Sequence, residues 1–143
     1  MTTMTAQTTQ VYSIFIKASP EQIWDAITKP EFTQKYMYGI PVTVTRQRFD
    51  GGQAVQGGVL EYEPPHRLVH AWQALYDPEM AEEDESRVTW ELEPHDGGVT
   101  LLTVVHDQLE GAPKTAESVS GPGWMMVLSG LKTLVETGKP LQG

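Results

Sequence analysis

The side chains best suited to chemistry in this 143-residue chain are histidines, because it has four of them and no cysteine. Without cysteine there is no thiolate nucleophile, no disulfide and no thiolate-ligated metal centre. His70 and His106 lie in strand-like segments that also carry bulky aromatic residues. His66 and His95 fall in turn-like sequences, Glu63-Pro64-Pro65-His66 and His95-Asp96-Gly97-Gly98, and are expected to be exposed. Imidazole changes charge near neutral pH, so two histidines in one pocket could act as acid and base. His70 and His106 are therefore the only candidate catalytic residues. His106 and Asp107 are adjacent on a strand and project to opposite faces, so they do not form an orienting pair.

These histidines must be positioned by strands, and each strand can be phased by its apolar set. Between Arg87 and Glu93, Val88, Trp90 and Leu92 share the inward face. Between Thr100 and Asp107, the inward set is Leu102, Val104 and His106, leaving Thr103 and Asp107 to water. Between Leu68 and Tyr76, the larger residues select Leu68, His70, Trp72, Ala74 and Tyr76. The concave face is then expected to carry Trp72, Tyr76 and Trp90 beside His70 and His106. Buried aromatics and hydrogen-bonded histidines are common without any ligand. Broad apolar walls with a few polar heads are, as a set, how small-molecule pockets are lined.

The strands in turn need a cover. Trp124, Val127, Leu128, Leu131, Leu134 and Val135 recur at steps of three and four, the stripe of an amphipathic helix. Gly138 and Pro140 supply its stop. Ser120-Gly121-Pro122-Gly123 predicts a kink or a restart, the helix beginning either near Thr115 or at Pro122. Near the other end, Gln10–Ala18 reads as the first strand, and Ser19-Pro20-Glu21-Gln22 is a helix start. Pro30 ends that helix and a second short one follows. From Ile40 onward, Gly- and Pro-rich punctuation predicts an antiparallel meander. The run from Asp77 to Glu85 is too acidic and proline-broken for a central strand, and it reads as a solvated loop without calcium-loop spacing. These elements predict an α+β fold: one sheet wrapped around a long C-terminal helix, with two short helices after the first strand.

The bulk numbers bound the remaining classes. The length suits one domain, expected over 10–143 with residues 1–9 as a flexible tail. A net charge of -9 repels phosphate backbones, so no nucleic-acid partner is expected. No apolar run approaches the ~20 residues that cross a bilayer, and no secretory leader pattern opens the chain, so the expectation is a cytoplasmic location.

Several segments resemble one family. They are Ala18-Ser19-Pro20-Glu21-Gln22-Ile23-Trp24-Asp25-Ala26-Ile27, the turn Glu63-Pro64-Pro65-His66-Arg67-Leu68, the strand Arg87-Val88-Thr89-Trp90-Glu91-Leu92-Glu93-Pro94, and Gly123-Trp124 opening the last helix. Together they resemble the SRPBCC (START-like) superfamily, in its branch homologous to the activator of the heat-shock-protein-ninety ATPase. The stretch from His106 through Gly111-Ala112-Pro113 to Leu134 is similar to a bacterial subgroup of that branch. The resemblance implies the helix-grip fold, a curved antiparallel sheet gripping the terminal helix with a cavity between them. One departure is visible: Tyr38-Gly39 runs almost directly into Ile40-Pro41-Val42, where relatives have a longer stretch. A shortened or missing strand is expected there, opening one side of the cavity or leaving an edge for a second copy.

Three functions remain open at this level. A binding module needs only the cavity, with Trp72, Tyr76, Trp90, Trp124, Met125 and Leu128 giving contact area and His70, His106, Tyr36 and Tyr38 orienting a small apolar or aromatic guest. Neither metal nor cofactor is expected. An enzyme of cyclase or hydrolase type would use the two histidines. Cochaperone action is implied by the resemblance alone.

Overall fold

The computed structural model describes residues 7–142. Most of the expected tail, residues 1–6, lies outside the described residues. The backbone is already tied at Thr8, whose carbonyl accepts from the Leu109 amide at 3.3 Å.

Strand β1 (Gln10–Ile16) leads into helices α1 (Pro20–Thr28) and α2 (Pro30–Tyr36). The Ser19 hydroxyl accepts from the Gln22 amide, and the Gln22 side chain accepts from the Ser19 amide, a reciprocal cap that satisfies two otherwise orphaned donors. Pro30 both closes α1 and opens α2, where its missing N–H is harmless. Strands β2 (Thr43–Val44), β3 (Arg48–Asp50), β4 (Val55–Glu63) and β5 (Arg67–Ala74) follow. A turn of helix, α3 (Pro78–Ala81), precedes β6 (Ser86–His95) and β7 (Val99–Asp107), and helices α4 (Pro113–Val119) and α5 (Pro122–Thr137) complete the chain.

The seven strands form one antiparallel sheet in the order β1-β7-β6-β5-β4-β3-β2. All neighbours except β1 and β7 are sequential, so the sheet is a meander closed by its first strand. The strand after α2 has two residues, as the shortened 39–42 stretch predicts, and it leaves the sheet weak at that edge. Gly57 permits a close backbone approach between β4 and β5: a Cβ there would sit 1.6 Å from the Ala71 carbonyl oxygen.

The phases of β6 and β7 are as the sequence predicts, with Val88, Trp90, Leu102, Val104 and His106 fully buried. They meet Ile23 and Ile27 of α1 and Leu128, Leu131 and Leu134 of α5 in one core. Of the two starts open for the last helix, the structure has a restart. α4 ends at Val119, Gly121 takes φ 55° and ψ -119°, and α5 begins at Pro122. Gly138 closes α5 in the left-handed region, φ 77°.

The acidic run needs a correction. It is an organised segment that holds α4, which has no capping side chain of its own. The Glu83 carboxylate accepts from the backbone amides of Lys114 and Thr115 at 2.7 and 3.0 Å, and from the Thr115 hydroxyl at 2.7 Å. Lys114 pairs with Glu79. Gln73 on β5 donates to the carbonyls of Met80, Ala81 and Glu83, fixing the loop against the sheet. Acid density alone suggests solvation, but a carboxylate beside uncapped amides finds stronger partners than water.

Candidate functional site

The two inward histidines sit in one row across three strands, His70 opposite Val88 and Val88 opposite His106. Each receives an indole. Trp90 Nε1 donates to His70 Nε2 at 3.0 Å, and Trp124 Nε1 donates to His106 Nδ1 at 3.1 Å. An indole nitrogen can only donate, so the accepting ring nitrogen carries no proton, and this assigns the tautomer of each ring. His70 then donates from Nδ1 to the Ala71 carbonyl at 2.8 Å. His106 donates from Nε2 to the Ser86 hydroxyl at 2.8 Å, and that hydroxyl donates onward to the Trp72 carbonyl at 3.4 Å.

Burial pulls the His70 pKa down to about 4, against the opposing hydrogen bond to Ala71. Burial, and next the neighbouring His70, pull His106 down to about 3, with Asp107 opposing. Both rings are neutral at neutral pH and all four ring nitrogens are engaged. A proton shuttle needs a nitrogen that can reach substrate. Neither ring has one, so acid–base chemistry by His70 and His106 has no geometric basis here. They are polar fasteners inside an aromatic core, with Phe49 stacked on His70 at 3.9 Å between centroids.

In front of this network lies a cavity of about 590 Å³, within the few-hundred to ~1,000 Å³ range of small-molecule pockets. The sheet contributes Val55 and Trp72 and the β3–β4 turn Ala54, while α4 and α5 contribute Ser118, Val119, Gly123, Trp124 and Val127. Met37, Tyr38 and Ile40, from the shortened α2–β2 connection, form the third side, and Tyr76 completes the lining. Tyr38 and Tyr76 are exposed, and both reach to the α4–α5 break. The Tyr38 hydroxyl donates to the Gly123 carbonyl at 3.1 Å, and the Tyr76 hydroxyl pairs with Ser118 Oγ at 2.8 Å. From β1, the Tyr12 hydroxyl accepts from the Gly121 amide at 3.1 Å. Three phenols from three parts of the chain thus hold the break in place. Loss of solvent around Tyr38, and then Tyr76 nearby, raise the Tyr38 pKa.

Of the ten ligand-contact residues expected from sequence, the structure places Tyr38, Trp72, Tyr76 and Trp124 on the cavity and six elsewhere. Trp90 is fully buried behind it, and His70 and His106 are enclosed with it. Leu128 faces the core one turn beyond Trp124. Met125 is exposed, because the residue after Trp124 on a helix points about 100° away. Tyr36 is not at the mouth: its hydroxyl donates to the Ala26 carbonyl at 2.7 Å, joining α2 to α1, and burial raises its pKa. Sequence reasoning missed Met37, Ile40, Ala54, Val55, Ser118, Val119 and Gly123. Met37, Ile40 and Ala54 lie in connections outside helix and strand, and Val55, Ser118, Val119 and Gly123 lie at the ends of β4, α4 and α5, where the repeat is too short to single them out. Val127 lay in the predicted apolar stripe without being singled out.

The comparisons agree with this architecture. CalU16 from Micromonospora echinospora is 23% identical over 94% of this chain and 77% of its own, with a TM-score of 0.72. An HSP90 activator from Plasmodium falciparum is 21% identical over 94% and 99%, with a TM-score of 0.73. The Aha1 dimer from Colwellia psychrerythraea is 20% identical over 93% and 99%, with a TM-score of 0.70. At these identities the likeness is one of fold. No curated protein matches the chain. The family described as Activator of Hsp90 ATPase homolog 1-like protein matches residues 17–136, from the end of β1 nearly to the end of α5, and the chain belongs to that family.

Proposed function

We propose that this protein binds a small apolar or aromatic molecule noncovalently in the cavity between the sheet and the α4–α5 helices. The observation that carries the reading is the hollow itself. A chain that fills its core with Trp90, Phe49 and Leu102 at zero exposure leaves about 590 Å³ unfilled beside them, walled by Trp72, Trp124, Val55 and Val127. Apolar surface of that extent favours an apolar occupant over water. The short β2 supports access, since the Met37–Ile40 side of the cavity carries no long strand.

Trp72 and Trp124 make the site self-reporting. N-phenyl-1-naphthylamine, an uncharged probe, is expected to quench tryptophan fluorescence saturably with one site per chain. A linear, unsaturable response would count against the reading.

Cochaperone activity is the reading suggested by the family's description and by the names of relatives at 20–21% identity, and a shared fold does not by itself carry that activity. Pull-down of the bacterial chaperone tests it separately. Pairing with a second copy at the short β2 edge is supported by the Colwellia relative's description as a dimer. At the β1 edge, however, Lys132 Nζ donates to the Phe15 carbonyl at 2.9 Å, and Glu136 accepts from the Lys17 amide at 2.7 Å. A helix that satisfies an edge strand's free groups works against strand-to-strand pairing there.

A further inference from the structure

Side-chain nitrogen and oxygen atoms are few in the cavity wall and unevenly placed. Trp72 Nε1 is buried without a partner and closed to the hollow, and Trp124 Nε1 is committed to His106. Neither indole nitrogen can meet a guest. The other buried residues of the wall, Met37, Val55, Val119 and Val127, offer hydrocarbon and a thioether. The hydroxyls of Tyr38, Tyr76 and Ser118 are the exception, and all three residues are exposed, the tyrosines by 65% and 54%. Side-chain polarity is therefore confined to the open end.

The bonds at this rim leave a defined remainder. Tyr38 spends its hydrogen on the Gly123 carbonyl, so its oxygen can still accept. Tyr76 and Ser118 make one hydrogen bond between two hydroxyls at 2.8 Å, which leaves one of their two hydrogens, and lone pairs, uncommitted. A guest hydroxyl, which both donates and accepts, matches that remainder.

An anion does not. Among the described residues that line the cavity there is no lysine, arginine or histidine. Lys114, one turn before Ser118 on α4, is held by Glu79 and Asp77, and Lys35 lies beyond Tyr38 in a separate hollow beside Gly39 and Gly130. Of the amides that open α5, Gly121 donates to the Tyr12 hydroxyl and Gly123 to the Ser120 carbonyl. Asp77 adjoins Tyr76 and Glu117 adjoins Ser118 in a chain of net charge -9. A carboxylate would shed water here and gain no ion pair.

Resting on the cavity-binding reading, we infer that the natural occupant is an uncharged aromatic molecule carrying a hydroxyl at one end, of the phenol or aryl alcohol class. Its hydrocarbon body lies against Trp72 and Trp124, and its hydroxyl meets the rim formed by Tyr38, Tyr76 and Ser118. The rim is thus a subsite that orients the guest.

Three naphthalenes with one substituent each test this: 2-naphthol, 2-methylnaphthalene and 2-naphthoate, titrated into the full chain at pH 7.5 by calorimetry. Naphthol should bind at least about fivefold tighter than naphthoate, and equal affinities would overturn the uncharged class. Tyr76→Phe combined with Ser118→Ala removes both hydroxyls of the pair. It should weaken naphthol about threefold more than it weakens methylnaphthalene, the effect of one modest hydrogen bond. An equal loss for both would overturn the part given to the pair. Orientation is read from intermolecular nuclear Overhauser effects in the wild-type protein. Naphthol protons far from the hydroxyl should contact the Val55 and Val127 methyls, and those beside it the Tyr76 ring; the reverse pattern would overturn the placement. In each of these failures, saturable methylnaphthalene binding would leave the cavity reading standing. Failure of all three probes to bind would overturn both.

Discussion

His106 Nδ1 accepts the indole hydrogen of Trp124 at 3.1 Å, tying the last strand of the sheet to the first turn of the helix it grips. The bond fixes one wall of the cavity. Trp124 also meets Trp90 edge-on at 5.5 Å between centroids and Trp72 at 5.9 Å, so the indole that lines the hollow is held from three sides. Replacing His106 with leucine should strand the Trp124 indole and remove the hydrogen bond that the Ser86 hydroxyl accepts. A loss of about 1–3 kcal/mol is expected in urea unfolding. His106→Leu combined with Trp124→Phe should lose less than the sum of the single changes, because the orphaned donor goes with the indole. Strict additivity would show that the bond contributes nothing.

The buried histidines set an acid limit on stability. Their folded pKa values, about 4 for His70 and about 3 for His106, lie below the ordinary 6.5. The unfolded chain therefore binds protons that the folded one refuses. The stabilisation is complete above pH 6.5 and is lost as pH falls toward 4. At 1.36 kcal/mol per pH unit, each histidine should remove about 2 kcal/mol by pH 5. Urea midpoints measured from pH 7.5 to 5 check this, and His70→Phe should flatten about half of the slope. A midpoint constant across that range would contradict the neutral, buried assignment.

Glu83 caps α4 from a neighbouring loop, and the bonds it accepts lower its pKa even though loss of solvent around it acts the other way. Glu83→Ala should cost about 1 kcal/mol, the usual effect of removing a helix cap. Hydrogen exchange at Lys114 and Thr115 should speed up while β6 and β7 stay protected. Unchanged protection of those two amides would mean that α4 is held by other contacts.

Gly57 crosses the Ala71 backbone too closely for any side chain. Gly57→Ala should push β4 from β5 and lower stability by about 2 kcal/mol or more, through the clash and the lost pairing. A neutral effect on thermal unfolding would show that the strands can separate without consequence.

The fold was legible where one rule dominates. Strand phase placed Trp90 and His106 inward because alternation leaves only two choices and Thr103 and Asp107 settle them. The turn chemistry of Gly121-Pro122 marked the break between α4 and α5. The site was less legible, because what a residue does inside depends on partners far away in sequence. His106 looks like a pocket acid until Trp124 and Ser86 arrive to occupy its nitrogens. Tyr36 looks like a rim residue until its hydroxyl finds the Ala26 carbonyl. The acidic run reads as solvated until the bare amides of α4 are placed beside Glu83. Burial was read correctly for His106 but not for Tyr36, which is buried, and in each case the satisfying partner lies on another element.

The central claim is that the hollow between sheet and helix receives a guest, and filling it from within tests this most directly. Ala54 lines the cavity on the sheet side, and Ala54→Phe adds a benzene-sized group at that wall. Calorimetric titration of N-phenyl-1-naphthylamine should give one saturable site in the wild-type chain. In a variant whose circular dichroism is unchanged, that site should be lost or weakened at least about tenfold. Equal affinity in both proteins would place the probe elsewhere and contradict the account.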